Sequence, residues 1–499
     1  MNWAVNISCA TARGWLLVGV LVAFLSEAFA QGQQYRPFEL TFTSVASYTN
    51  PFDDSEVDFT VEFTGPNSEE MVVIGFWDGG STWKARFNPP TAGTWTYVTS
   101  CSNSSDTGLD NLSGSFSVAG ASGSLPTYQH GGILRRSGNG RYFTYSDGTP
   151  FFYVGDTMWS TPCYRMPIDP SQNGSLPAGK TFDWAIDQRV AQGFTVLQMH
   201  GSKGMYEDES DYDNSNKTFE KTDNIADLGN PLYTDIDYWQ LYDQYMTYAD
   251  SSGLVVNLGV AGVALLDPVP LVDLKRHYRY MLARFGAYNF MWLITQEYNA
   301  SQGDVAGRAI KIFALCEYLK SIDCHGRLLG LHQSPVGPDH TDPSWDMSWS
   351  DMIIDQNGHF RTPDQGDYLY NYFKENPDPI VEAELNYEGF TKTGFVVDSE
   401  VVRQSAYTAI QSGAAGYGYG ATGVYSGSYD GFGQPTNWGL PIPDWWDKVA
   451  LDGAFDMGRL RDFYEGLEWW ELEPTTGVPS NLRLLVKSDG YNTILVWFP

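Results

Sequence analysis

The chain has 499 residues, of which 60 are acidic and 30 basic, for a formal net charge of −30. So acidic a surface repels phosphate backbones and anionic lipid, which argues against nucleic acid and anionic membranes as partners. Aromatic residues make up 15% of the chain, with 17 Trp and 31 Tyr, a surplus that suits either stacking against sugar rings or strand-rich layers.

In chain order, Arg13 precedes the apolar run "GWLLVGVLVAFL" and then "SEAFAQ", where Ala28 and Ala30 form a small-residue cleavage site. Residues 1–30 therefore read as a secretory signal peptide removed after Ala30. No later stretch reaches the roughly 20 apolar residues of a membrane span, so a secreted mature chain without a membrane partner is expected. Cys9 leaves with the signal. Cys101, Cys163, Cys316 and Cys324 remain, enough for two disulfides in an exported protein, with Cys316 and Cys324 the most local pair. Glycosylation sequons stand at Asn103, Asn111, Asn173, Asn216 and Asn299.

Residues 31–120 alternate apolar and polar positions in short runs such as "FELTFTSV", "EVDFTVEFTG" and "GTWTYVTS", separated by Gly, Pro and Asn turns. This predicts an N-terminal antiparallel β-sandwich, followed by a Gly/Ser-rich linker over 121–135. From 136 to 475 the pattern becomes eight apolar runs separated by amphipathic stretches: "PFFYVGD", "FTVLQMH", "LVVNLGV", "FMWLITQ", "RLLGLHQ", "MIIDQNGH", "PIVEAELN" and "GAAGYGYG". Eight βα repeats describe an α/β fold of the (β/α)8 TIM-barrel type better than an open doubly wound sheet, which would want a Gly-rich loop where "GDTMWS" has one glycine. Residues 476–499 carry two further strands, a short C-terminal β segment that must lean on the barrel or begin a truncated β-domain.

In such a barrel, chemistry belongs at the C-terminal strand ends. The first strand ends at Asp156 and Trp159, the second at Gln198 and His200, the sixth at Gln356 and His359. Strand four delivers Glu297, and strand seven carries Glu382, Glu384 and, after "LNY", Glu388. Two carboxylates at one mouth are what double-displacement glycoside cleavage requires: one protonates the leaving oxygen and the other attacks the anomeric carbon. Alternation puts Glu382 and Glu384 on one side of their strand and cannot choose between them, whereas depth favours Glu384, nearer the mouth. No metal or other cofactor is expected. The acidic stretches "DNIADLGNPLYTDID" and "DYDNSN" lack calcium-loop spacing, the seven histidines form no H-E-x-x-H pair, and "GATGVYSGSYDG" has no nucleophile elbow.

The ordered segments "GRYFTYSDGTPFFYVGDTMW", "GFTVLQ", "WLITQEYN", "QNGH", "VEAELNYE" and "VRQSAYTAIQSGAAGYGYGATGVY" resemble the apiosidase-like glycoside hydrolases, and the preceding residues resemble the β-sandwich domain often fused in front of them. The resemblance implies a polysaccharide or oligosaccharide substrate, with Glu297 as acid/base and Glu384 as nucleophile. It also implies that Asp156, Trp159, Gln198, His359, Glu388 and Tyr419 line the sugar pocket, with His200 and Tyr417 as further substrate-binding candidates. Two departures stand out: "TQE" replaces the family's usual "GGD", and "GYGYGA" replaces a "GHxYGH" pattern, putting Tyr417 and Ala421 where histidines are usual. The expected function is thus a secreted retaining glycoside hydrolase. A catalytically silent carbohydrate-binding or surface-assembly protein on the same barrel is the alternative, and a polysaccharide lyase is disfavoured because the negative chain would repel uronates.

Overall fold

A computed structural model describes residues 31–163, 165–172, 176–200, 236–259, 266–300, 303–334, 347–358, 369, 373–375, 377–392, 395–429, 443–474, 485–490 and 493–497. The N-terminal region forms two facing sheets, one of five strands and one of three. Strict alternation builds their shared core: along Phe59–Thr64, Phe59, Val61 and Phe63 are buried while the residues between them face outward. Phe63 stacks on Phe87 of the facing sheet at 4.4 Å between ring centroids, and Trp95 meets Phe87 edge-on at 4.8 Å. Pairing is antiparallel apart from the edge strand Gln31–Gln33, which runs parallel to Ser117–Ala119.

The eight apolar runs of the second region form a closed parallel barrel in sequence order. Its strands are β1 (Tyr153–Met158), β2 (Val196–His200), β3 (Val255–Gly259), β4 (Phe290–Gln296), β5 (Leu329–His332), β6 (Met352–Asp355), β7 (Ile380–Glu382) and β8 (Gly416–Tyr419). Helices that matter below are α1 (Phe182–Ala191), α2 (Ile236–Ser251), α3 (Leu271–Phe285), α4 (Val305–Ile322), α5 (Ser399–Gln411) and α6 (Asp452–Glu465).

The barrel interior is polar as well as packed. Tyr153 donates through its hydroxyl to Gln198 Oε1 at 3.2 Å, and Gln198 Nε2 donates to Thr157 Oγ1, its register partner, at 2.9 Å. The Tyr153 ring also decides which way β8 faces. A Cβ on Gly416 would lie 2.4 Å from Tyr153 Cβ, and one on Gly418 would lie 2.5 Å from the Ala383 carbonyl oxygen, so the inward positions of β8 have to be glycine. Period two then turns Tyr417 and Tyr419 toward the helices.

The sandwich joins the barrel through buried charge. Arg86 donates from Nη1 and Nη2 to the two Asp243 oxygens of α2 at 2.6 and 2.8 Å, while Arg284 of α3 reaches the same carboxylate at 2.6 Å and Asp78 of the sandwich at 2.9 Å. The linker is also docked, since Tyr128 donates to Asp250 of α2 at 2.6 Å. At the other end of the chain, Leu485–Ser488 and Ile494–Trp497 form a hairpin against α5, and a third strand, Glu473–Pro474, completes their sheet.

The expected disulfides are not formed: Cys101, Cys163, Cys316 and Cys324 are all thiols, none joined to another. Cys316 lies on the buried face of α4 within the barrel core, whereas Cys324, past the end of that helix, sits against the core of the sandwich. Closeness in sequence does not bring their sulfurs to one place. No helix among the described residues is long and apolar enough to cross a membrane.

Candidate active site

The fourth strand loses its regular register between Leu293 and Gln296, and Gln296 ends opposite His332 of β5. Such an irregularity re-aims the side chains that follow it. Gln296 Oε1 accepts from His200 Nε2 at 2.8 Å, and the next residue, Glu297, is half-buried with a left-handed backbone, φ 52°. A non-glycine residue in that region costs on the order of 1 kcal/mol and persists where its surroundings impose it. They do so here. Tyr298 N–H donates to the His332 carbonyl at 3.2 Å. From α4 the fully buried Arg308 clamps the loop, donating to the carbonyls of Tyr298 and Ala300 at 2.8 Å each while holding Asp267 in a two-pronged ion pair.

On the far side of β5 stands Glu384. It is 5% exposed, and its Oε2 lies 3.3 Å from His332 Nε2. His332 therefore stands between the two segments, its carbonyl bonded to the residue after Glu297 and its ring beside the Glu384 carboxylate. Trp159 is packed edge-on against both His200 and His332, at centroid separations of 5.3 and 5.6 Å, and donates from Nε1 to Tyr387 Oη at 3.1 Å. Burial pushes the His200 pKa down to about 4, so the ring is neutral at pH 7 and its proton sits on Nε2, facing Gln296.

Of the residues singled out from sequence, the structure gathers Glu297, Glu384, Trp159 and His200 at one mouth. Gln198 lies beneath them in the barrel interior, donating to the Ala383 carbonyl at 3.2 Å. Asp156, Glu388, Tyr417 and Tyr419 are placed elsewhere, on the helix-facing side. Asp156 pairs with the equally buried Arg189 of α1 at 2.8 Å. Glu388 accepts from Tyr419 Oη at 2.6 Å and from Gly453 N–H of α6 at 3.0 Å, and Tyr417 donates to the Leu385 carbonyl at 2.8 Å. These four engage Arg189, one another and the backbone rather than the mouth. His359 lies outside the described residues, as do both acidic stretches weighed as calcium loops apart from the last two residues of the longer one, Ile236 and Asp237. Among the described residues there is no group of three or more side chains able to hold a metal.

His332 is the residue that reading the sequence missed. Its signal was present, because the rule applied to the other strands, taking the polar residue at the C-terminal end, picks it out of "RLLGLHQ".

The sequon at Asn299 falls inside this site. Its side chain is buried, and Oδ1 accepts from Ser334 N–H at 2.5 Å. A glycan there would break that bond and fill the mouth, so peptide mass spectrometry of the protein from a glycosylating host should find Asn299 unmodified.

Buried histidines also set an acid limit. Burial lowers His200 to about 4 and His277 and His325 to about 3, so each takes up a proton on unfolding below about pH 6.5. Their contribution to stability is complete above pH 6.5 and is lost as pH falls through those folded values. Glu382 and Asp250 act in the opposite sense. Burial raises them to about 7 and about 6 from ordinary values of 4.5 and 3.8, so their contribution is complete in acid and is lost as pH rises through the folded values. Between pH 6.5 and 5 the three histidines outweigh the two carboxyl groups by about one net proton, so stability falls by roughly 1.4 kcal/mol per pH unit. The fall continues below pH 5 and levels off as the histidines pass their folded values. Urea midpoints at pH 6.5, 5 and 3.5 should drop at each step.

A parallel eight-stranded barrel carrying carboxylates at the ends of strands four and seven is the architecture of a barrel glycoside hydrolase. Residues 137–471, about two thirds of the chain, match the apiosidase-like catalytic domain, and the chain belongs to that family. Residues 31–102 match a domain of unknown function, DUF5060. Among solved structures, a Bacteroides vulgatus ATCC 8482 protein provisionally assigned as a glycoside hydrolase superposes with a TM-score of 0.63 at 18% identity, over 88% of this chain and 79% of that one. A glycoside hydrolase family 5 protein from the same organism gives 0.57 at 18% identity, over 71% and 78%. At such identities the likeness establishes the fold. No curated protein matches the chain.

Proposed function

We propose that the protein is an exported, retaining glycoside hydrolase that cleaves O-glycosidic bonds of a polysaccharide or of its side chains. The observation that carries this reading is the pairing at the mouth: Glu384, nearly buried and 3.3 Å from His332, and Glu297, fixed in a left-handed turn beside the same histidine. Glu297, half-exposed, is placed to meet a glycosidic oxygen arriving from solvent and to donate its proton to the departing group. Glu384 attacks the anomeric carbon as that bond breaks, giving a glycosyl ester. Glu297, now a carboxylate, takes a proton from water, which attacks the same carbon and releases Glu384. His332 stands 3.3 Å from the attacking oxygen, and Trp159, braced by both histidines, closes the floor against bulk water.

Incubating the protein with a panel of plant and microbial polysaccharides and analysing the products tests the reading. Released sugar whose first-formed anomer has the substrate's configuration, seen by proton NMR, supports it. The opposite anomer would establish inversion, and glycan binding without any release would establish a carbohydrate-binding protein instead. Export is checked separately, by finding Gln31 as the N-terminal residue of protein recovered from the medium.

A further inference from the structure

The glutamate two residues before Glu384 has an unusual set of partners. β7 ends at Glu382, and the chain bends at Glu384. Up to Ala383 the parallel ladder is regular, with Ala383 N–H donating to the Asp355 carbonyl at 2.8 Å. In a continuing ladder the next bond would run from Asn357 N–H to the Ala383 carbonyl. Instead, Asn357 N–H donates to Glu382 Oε1 at 3.3 Å, and the Ala383 carbonyl is taken by Gln198 Nε2 at 3.2 Å. The Glu382 carboxylate also accepts from the Asn357 side-chain amide and from the backbone N–H of Glu384 itself. One bond later the ladder resumes, with Gly358 N–H donating to the Glu384 carbonyl at 3.0 Å.

A side chain has thus replaced a single rung of the barrel, at the residue beside the candidate nucleophile. Glu382 and Glu384 do not share a side as alternation predicts. Glu382 lies in register with Tyr417, which faces the helices, and Glu384 turns to His332. Glu382 is fully buried, as is Asp355, and the Asn357 amide is shared between these two carboxylates, at 2.8 Å to Asp355 Oδ2. Burying two carboxyl groups is costly, and the N–H donors around Glu382 offset part of that cost.

We propose that Glu382 is a positioning residue for Glu384: its carboxylate captures the N–H groups of Asn357 and Glu384, opens the ladder for one rung, and holds the bend that delivers Glu384 to His332. The role in turnover rests on reading Glu384 as the nucleophile, whereas the structural part does not. Two variants test it. Glu382→Gln keeps the shape but turns an amide NH2 toward incoming N–H donors, and Glu382→Ala removes the acceptor altogether. On the glycoside the wild type cleaves, kcat should fall roughly 10-fold in the first and on the order of 10²-fold in the second, with KM within a few-fold, as misplacement by about 1 Å predicts. Crystal structures of the variants supply a readout independent of turnover: the Glu384 carboxyl should move out of hydrogen-bond reach of His332. Wild-type kcat in folded Glu382→Gln, or Glu384 still 3.3 Å from His332 in either variant, would overturn the proposal. If Glu384→Ala itself retains full turnover, the catalytic reading fails, and the His332 distance still decides the positioning role.

Discussion

Glu384→Ala is expected to lower turnover by on the order of 10³- to 10⁵-fold while leaving the fold intact, because the variant has no atom to form the bond to the anomeric carbon. Little stability should be lost, since what is removed is a buried carboxylate whose departure ends a desolvation cost. Glu297→Gln should match that loss on a natural glycoside, whose leaving alkoxide needs a proton, yet lose far less on an aryl glycoside with an acidic phenol, which departs without one. The two variants therefore differ in which substrate rescues them. Azide sharpens the contrast: in the Glu384→Ala cavity it should attack directly and give the inverted glycosyl azide. In Glu297→Gln it should intercept the glycosyl ester and give the retained one. Wild-type rates in either variant would remove that residue from the mechanism.

The largest stability effect is expected at the junction of the two domains. Arg284, with a fully buried side chain, neutralises Asp243 and Asp78, and Arg86 reaches Asp243 from the sandwich. Arg284→Met leaves Asp243 with Arg86, and Asp78 with Lys84, as the remaining cationic partners. Breaking one side of a buried ion cluster costs about 3–5 kcal/mol, far more than an exposed pair is worth. The loss should appear as a lowered urea midpoint and as earlier proteolytic cutting near residues 121–135, where sandwich and barrel join. Replacing Arg284 and Asp243 together by apolar residues should recover part of it, since no charge is then left unpaired in the interior.

Much of this was legible in the chain because the signals are local. Each barrel strand is a short apolar run bounded by turn residues, so eight of them could be counted in order, and the sandwich showed in simple alternation. Glu297 drew notice as a carboxylate just past an apolar run, whereas Glu384 was separated from Glu382 on strand seven by depth alone. What sequence could not supply depends on partners far along the chain. Tyr417 and Tyr419 face the helices because the Tyr153 ring, some 260 residues earlier, already occupies the space in front of Gly416. Glu382 and Glu384 part company where the Glu382 carboxylate takes the Asn357 N–H and Gln198 takes the Ala383 carbonyl, the two halves of one ladder bond. Cys316 and Cys324 stay apart because a helix and a domain boundary separate two residues that are neighbours in sequence. The sequence by itself determined the kinds of element and their order, which follow from local hydrophobic period. Only the tertiary structure decided which side chains meet at the mouth, because a single irregular rung in a strand, invisible to periodicity, is enough to turn a carboxylate toward its partner or away from it.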